Sequence, residues 1–270
     1  MQYTVTFYSS GFFGFGEKGD FKYWSLAHFI PLILLLVAIF LIWRYREWFR
    51  NWKHEENFRF IFAFVMLMVE MSYFWRLLYV GSSEPTNVVD LLDKLPLQVC
   101  EWTCIISCFM LMKKSKNLYQ ICFFVCLTAG IFPLLTPAVI TTCGPGYYRY
   151  YQFWLEHTLP IVAVFYMTFV HGARAQFKGI FYGIGFFVAL VIPSLIANFN
   201  IKGANYLYLA ENTDGDSIAN ILPENIWMRL LVFAAVVLPL FLGLYYLSRF
   251  LDKKFSKKQQ TEIPADTQEK

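Results

Sequence analysis

At 270 residues the chain is 57% hydrophobic and 16% charged, with a mean hydropathy of +0.45, which excludes an ordinary soluble domain. Its net charge of +4 comes from lysines and arginines that flank apolar runs, so no nucleic-acid partner is expected. The six cysteines lack C-x-x-C spacing, and neither a metal nor a cofactor is expected.

A helix needs about 20 mainly apolar residues to cross a bilayer. Seven windows qualify: Tyr23–Trp43, Phe58–Val80, Leu95–Met112, Leu118–Leu135, Tyr151–His171, Ile180–Phe199 and Ile226–Ser248. They predict an all-α, polytopic transmembrane helix bundle of about seven helices. The first run begins after twenty-odd mixed residues without a small-residue cleavage site, so no signal peptide is expected. Residues 1–22 then form an extracytoplasmic segment, 23–248 the transmembrane domain, and 249–270 a basic, disordered cytoplasmic tail. The loops on alternate sides carry sixteen lysines and arginines against five. This asymmetry puts the N-terminus outside and the C-terminus in the cytoplasm.

In chain order, the first helix carries His28 five residues in. The connection RYREWFRNWKHEEN is basic and aromatic, suited to anionic headgroups. The second helix holds Glu70 near mid-membrane and Arg76 one turn from its outer end. The third opens with Gln98, Cys100 and Glu101, and Cys104 and Cys108 continue the same stripe. Cys122 and Cys126 on the fourth helix read as small packing residues, as does Cys108. Cys143 lies in the outer loop TTCGPG, and His54 and His171 lie at inner, interfacial ends. The fifth helix places Glu156 beside His157. The long outer loop before the seventh helix is positioned to cap the bundle mouth. Its NTDGD run lacks the full ligand set of a calcium loop. Arg229 lies one turn into the seventh helix.

These polar groups share a level. His157 is six residues inside the outer end of its helix, roughly 9 Å deep at about 1.5 Å per residue. His28, Gln98, Cys100, Glu101, Arg76 and Arg229 also lie in the outer half, whereas the inner half reads as almost purely apolar. Ionisable residues in the membrane are costly and usually face a bundle interior or cavity. Glu70 and Arg76, six residues apart, point in different directions and need partners on other helices, Arg229 or His28 for Glu70. Such a layer suits nucleophilic catalysis: His157 as base, Glu156 or Glu101 as orienter, and Cys100, Ser72 or Ser25 as nucleophile. A histidine kept neutral by its apolar surroundings can accept a proton. Arg76, Arg229, Gln98, His28 and Glu70 are the candidates for binding a lipid headgroup. The outer half is where acyl esters of outer-leaflet phospholipids lie, so lipid acyl transfer or hydrolysis is the expected chemistry, with membrane lipids as partners. A proton or solute transporter and a non-catalytic headgroup-binding envelope protein are the alternatives.

Five segments resemble the bacterial YwaF family of integral membrane proteins: WSLAHFIPLILLL, VEMSYFWRLLY, DKLPLQVCEWT, PLLTP and YYQFWLEHTLPIVAVFYM. That family is similar to the eukaryotic transmembrane ether-phospholipid acyltransferases and, more distantly, to androgen-induced-type membrane hydrolases. The resemblance runs from about Trp24 to Tyr246. It implies a helix bundle in the bacterial cytoplasmic membrane with His157 as intramembrane base. Leu97 occupies the position of the acyltransferases' cysteine, and Cys100 lies one turn further along the same face. Gln98 stands where many YwaF relatives carry histidine.

Overall fold

The computed structural model describes residues 11–14, 19–80, 95–137, 140, 143–201, 204–210 and 222–261. The NTDGD run and the last nine residues of the tail lie outside them. All regular structure among the described residues is helical, in the order α1 (Leu26–Arg44), α2 (Arg46–Asn51), α3 (Glu55–Val80), α4 (Val99–Lys113), α5 (Lys116–Cys126), α6 (Ile131–Leu135), α7 (Tyr148–Phe169), α8 (Lys178–Asn200), a 3-10 turn (Tyr206–Tyr208) and α9 (Ile226–Thr261). Each of the seven predicted windows holds one of the longer helices. Five spans are long and apolar enough to cross a membrane: Leu26–Arg44, Glu55–Arg76, Lys116–Leu135, Lys178–Asn200 and Ile226–Lys254. Of the other two, α4 has only 15 residues, and α7 carries the polar run that includes Arg149, Gln152, Glu156 and His157.

The bundle is inside out relative to a soluble protein. Apolar side chains such as Leu34, Leu36, Phe181, Ile196, Leu231 and Phe250 stand exposed, the arrangement a hydrocarbon solvent requires. The polar residues instead turn inward. The central helix is α7, which packs against α1, α3, α4 and α5 and buries Gln152, Glu156, His157 and Thr158 together with Phe153, Ile161, Val164 and Tyr166. A helix so enclosed can carry polar groups on several sides, because its neighbours supply their partners.

The half of the bundle predicted to face the cytoplasm is not the apolar zone expected from the sequence. Because α3 begins at Glu55 rather than Phe58, its first turn brings Glu55 and Arg59 into the bundle, 7% and 1% exposed. Arg59 Nε donates to Glu55 Oε1 at 2.8 Å, and Tyr166 and His171 donate to the same oxygen at 2.9 and 2.8 Å. Arg59 Nη1 also donates to the carbonyls of Leu111 (2.5 Å) and Met112 (3.3 Å). A cation is favourable at these last carbonyls of α4. His171, read as merely interfacial, is thus part of a buried polar lock. Between this lock and the other polar layer, Ala63, Met66, Met110, Ala163 and Val164 are almost fully buried.

Along α8, Gly179 and Gly183 are four residues apart and let the helix approach its neighbours closely, as small-xxx-small pairs do in membranes. A β-carbon at Gly183 would lie 2.6 Å from Cε2 of Phe241 on α9, whereas one at Gly185 would meet nothing within 4 Å. Gly183→Ala is therefore expected to destabilise the fold by about 1–3 kcal/mol through overpacking. Gly185→Ala should be neutral or stabilising through helix propensity. Unfolding midpoints in mixed micelles would check this; equal shifts for the two variants would contradict the packing account.

Candidate functional site

The site is built on the first three turns of α7. Pro145 and Gly146 end the preceding loop, and the helix starts at Tyr148, a turn's length before the predicted start at Tyr151. That extension turns Arg149 from a loop residue into a helical one. Arg149, Gln152 and Glu156 are spaced three and four residues apart, so they fall on one face. Arg149 Nη1 bonds to Gln152 Oε1 and donates to Glu156 Oε2 at 3.1 Å. Gln152 Nε2 donates to the same Glu156 oxygen at 2.8 Å. The guanidinium of Arg149 lies 4.5 Å from the centre of the Tyr73 ring, an attractive cation–π contact. α3 is tied to the same face by the Tyr148–Ser72 hydroxyl pair and by Gln152 Nε2 reaching the Val69 carbonyl at 3.5 Å.

Glu156 is thereby held where it meets two reactive groups. The Cys100 sulfur, a Glu156 carboxylate oxygen and a ring nitrogen of His157 lie within 4.8 Å of one another. Glu156 and His157 are buried and Cys100 is half-buried. His157 Nδ1 donates to the Phe153 carbonyl at 2.7 Å. A carbonyl can only accept, so in the neutral ring Nδ1 carries the hydrogen and Nε2 is left with its lone pair. Nε2 makes no hydrogen bond among the described residues. Pro160 lacks the N–H that would bond the Glu156 carbonyl, so one backbone bond of α7 is missing beside the site.

The other predicted residues have different placements. Glu101 is the N3 residue of α4: its carboxylate accepts the Gln98 backbone N–H at 3.0 Å, closing one half of a capping box. The Gln98 side chain accepts the Leu207 N–H at 3.1 Å. His28 is fully buried and bonded at both ring nitrogens, Nε2 donating to the Leu134 carbonyl at 2.8 Å and Nδ1 accepting the Trp24 N–H at 3.2 Å. Arg76 donates to the carbonyls of Phe13 and Gly14, both at 2.9 Å. Arg229 donates to those of Pro223 (2.5 Å) and Tyr208 (2.6 Å). These two arginines, read as candidates for a lipid headgroup, are buried in the protein and hold backbone carbonyls. Glu70 pairs with neither Arg229 nor His28. It lies in the field of Glu156, Glu101 and Arg149, and its Oε2 is buried without a hydrogen bond.

Cys104 and Cys108 donate to the carbonyls of Met66 (3.5 Å) and Ala63 (3.2 Å), and Cys122 accepts from Ser107 at 3.4 Å. They are packing residues, which leaves Cys100 as the thiol placed beside an imidazole and a carboxylate. Sequence reasoning missed Arg149 and Tyr73. The signal for Arg149 was present in its spacing to Gln152 and Glu156, but only once the helix is started a turn earlier. Chemically the trio could ligate a soft divalent cation. The Arg149 charge 3.1 Å from Glu156 opposes a further positive charge there and suits a nucleophile–base pair better.

No curated protein and no solved structure matches the chain. The TMEM164 family profile matches residues 23–245, which takes in α1 to α8 and most of the membrane-crossing part of α9, and with them Cys100, Arg149, Glu156 and His157. The chain belongs to the TMEM164 family of multi-pass transmembrane proteins.

Proposed function

We propose that the protein is a membrane-embedded lipid acyltransferase, able to act as a hydrolase when water replaces the acceptor. The observation that carries this reading is the convergence of Cys100, Glu156 and His157 in the predicted outer half of the bundle. Cys100 is the nucleophile, His157 Nε2 the base, and Glu156 the charge that stabilises the imidazolium, itself held by Arg149 and Gln152. The resemblance to bacterial YwaF proteins and to ether-phospholipid acyltransferases supports the same roles. It also favours a bacterial cytoplasmic membrane, with the N-terminus outside.

In the first half-reaction the Cys100 thiol passes its proton to His157 Nε2 while sulfur attacks the ester carbonyl of a phospholipid. The tetrahedral intermediate collapses with cleavage of the carbon–oxygen bond. The departing lysophospholipid oxygen takes the proton back from His157, leaving an acyl thioester on Cys100. In the second half-reaction an acceptor hydroxyl gives its proton to His157 and attacks the thioester carbonyl. The carbon–sulfur bond breaks, and the thiolate recovers the proton. No external reductant or energy source is needed, because an ester is exchanged for an ester.

The buried polar lock at the other end of the bundle raises proton or solute transport as a second reading. The apolar layer of Met66, Met110, Ala163 and Val164 between the two polar groups interrupts any continuous relay and argues against it.

The test uses purified protein in liposomes of phosphatidylcholine carrying an alkynyl acyl chain, with a lysophospholipid acceptor. Transfer of the labelled chain is expected, through a hydroxylamine-sensitive adduct on Cys100. His157→Ala should slow it by at least about 100-fold, and Cys100→Ser should remove the adduct. Transfer that survives both substitutions would sink the mechanism, and ion flux without acyl transfer would favour the transporter.

A further inference from the structure

The segment that follows α8 is held in an unusual backbone. Leu207 has φ 57° and ψ 18°, and Tyr208 has φ 53°. Two consecutive residues with side chains in the left-handed region are rare, because the β-carbon crowds the backbone. Such strain persists only where the surroundings over-determine it, and it clusters at functional sites.

The surroundings here do so. The Asn198 side chain brackets Tyr206, Nδ2 donating to its carbonyl at 3.0 Å and Oδ1 accepting its N–H at 2.8 Å. The Tyr206 hydroxyl accepts the Leu95 N–H at 2.8 Å. Gln98 Oε1 holds the Leu207 N–H, and Arg229 Nη1 holds the Tyr208 carbonyl. The Leu207 side chain packs in a cluster with Leu190 and Leu209. The strap is thus fastened to α4, α8 and α9 by its backbone and by its leucines. The Tyr208 hydroxyl makes no hydrogen bond among the described residues. The strap is gripped by Gln98, the N-cap of α4 two residues before Cys100, which sets the Tyr208 ring on the side of the bundle where Cys100, Arg149, Tyr73 and Glu156 act on it. Burial, with the Cys100 sulfur next, pushes this phenol up to about 12, so at neutral pH it keeps its hydrogen and can donate it.

We propose that Tyr208 is a catalytic residue that donates a hydrogen bond to the oxyanion of the acyl-transfer intermediate, and that the strained strap exists to aim it. The inference rests on the acyl-transfer reading. When sulfur attacks, the carbonyl π electrons move onto oxygen, and a fixed phenolic donor stabilises that charge without taking part in the proton balance between Cys100, His157 and the leaving oxygen. Preorganised donors of this kind act more strongly in a site from which water is excluded. The strap also explains Gln98 and Arg229: Gln98 holds the N–H of the preceding Leu207 and Arg229 holds the carbonyl of Tyr208 itself.

Tyr208→Phe removes the hydroxyl and keeps the ring. In liposomes of alkynyl phosphatidylcholine, the rate of thioester formation on Cys100 is expected to fall about 100-fold. KM should stay within about twofold and the unfolding midpoint should not change. If wild-type protein forms the adduct and Tyr208→Phe forms it within threefold of that rate, the Tyr208 assignment is overturned and acyl transfer stands. A rate loss accompanied by a lowered unfolding midpoint would also overturn it, showing the phenol to be structural. No adduct in the wild type would overturn both.

Discussion

The ion pair between Arg149 and Glu156 is the interaction on which the site depends. A carboxylate on the central helix of a membrane bundle loses its hydration, a cost of several kcal/mol per ion. It is retained here because α7 supplies Arg149 and Gln152 on the same face, with both donating to one carboxylate oxygen, and because α3 supplies the Tyr73 ring for the guanidinium. With Glu156 so held, Cys100 of α4 and the neighbouring His157 converge on it. Three helices are thereby registered against one another by a polar contact. In lipid, apolar burial alone sets no register, because the tails outside are as apolar as the side chains within.

A second polar lock, Glu55 with Arg59, Tyr166 and His171, joins the same helices α3 and α7 at the far end, and Arg59 reaches α4 as well. The two locks fix the spacing of these helices at both ends, and the apolar layer between them separates two sites of different kind. The lock around Glu55 gives one carboxylate oxygen three donors. Around Glu156, three groups have no hydrogen bond among the described residues: His157 Nε2, the Tyr208 hydroxyl and Glu70 Oε2. Trp154 Nε1 on α7 is likewise buried without a hydrogen-bond partner among the described residues, and unsatisfied polar atoms of this kind are where a substrate's own polar atoms would fit.

The helical class and the seven windows were legible because a chain in hydrocarbon must satisfy its backbone internally, so the length of an apolar run is nearly sufficient to place a helix. The phase of the fifth helix likewise made His157 conspicuous, and counting turns from Leu97 pointed to Cys100. Arg149 was hidden by a helix boundary placed a few residues late, an error that moves a residue from loop to site. The roles of His28, Arg76 and Arg229 were not legible at all. Each bonds backbone carbonyls of segments far away in sequence or in a loop, and a carbonyl has no signature in a string of side chains. Glu101 has a local explanation that the spacing to Gln98 did contain, since a residue at N3 commonly bonds back to the N-cap. The left-handed strap at Leu207 and Tyr208 carries no glycine to announce it.

The most direct measurement is a double-mutant cycle between Arg149 and Glu156, using Arg149→Met, Glu156→Gln and the pair, with reversible unfolding in mixed micelles as the readout. Removing one partner of a buried pair leaves the other uncompensated, so Arg149→Met should cost about 3–5 kcal/mol. With Glu156 neutralised as well, that penalty should largely vanish, and the double variant should lose much less than the sum of the singles. Losses that simply add, with no coupling between the two positions, would contradict the account that this ion pair seats the site.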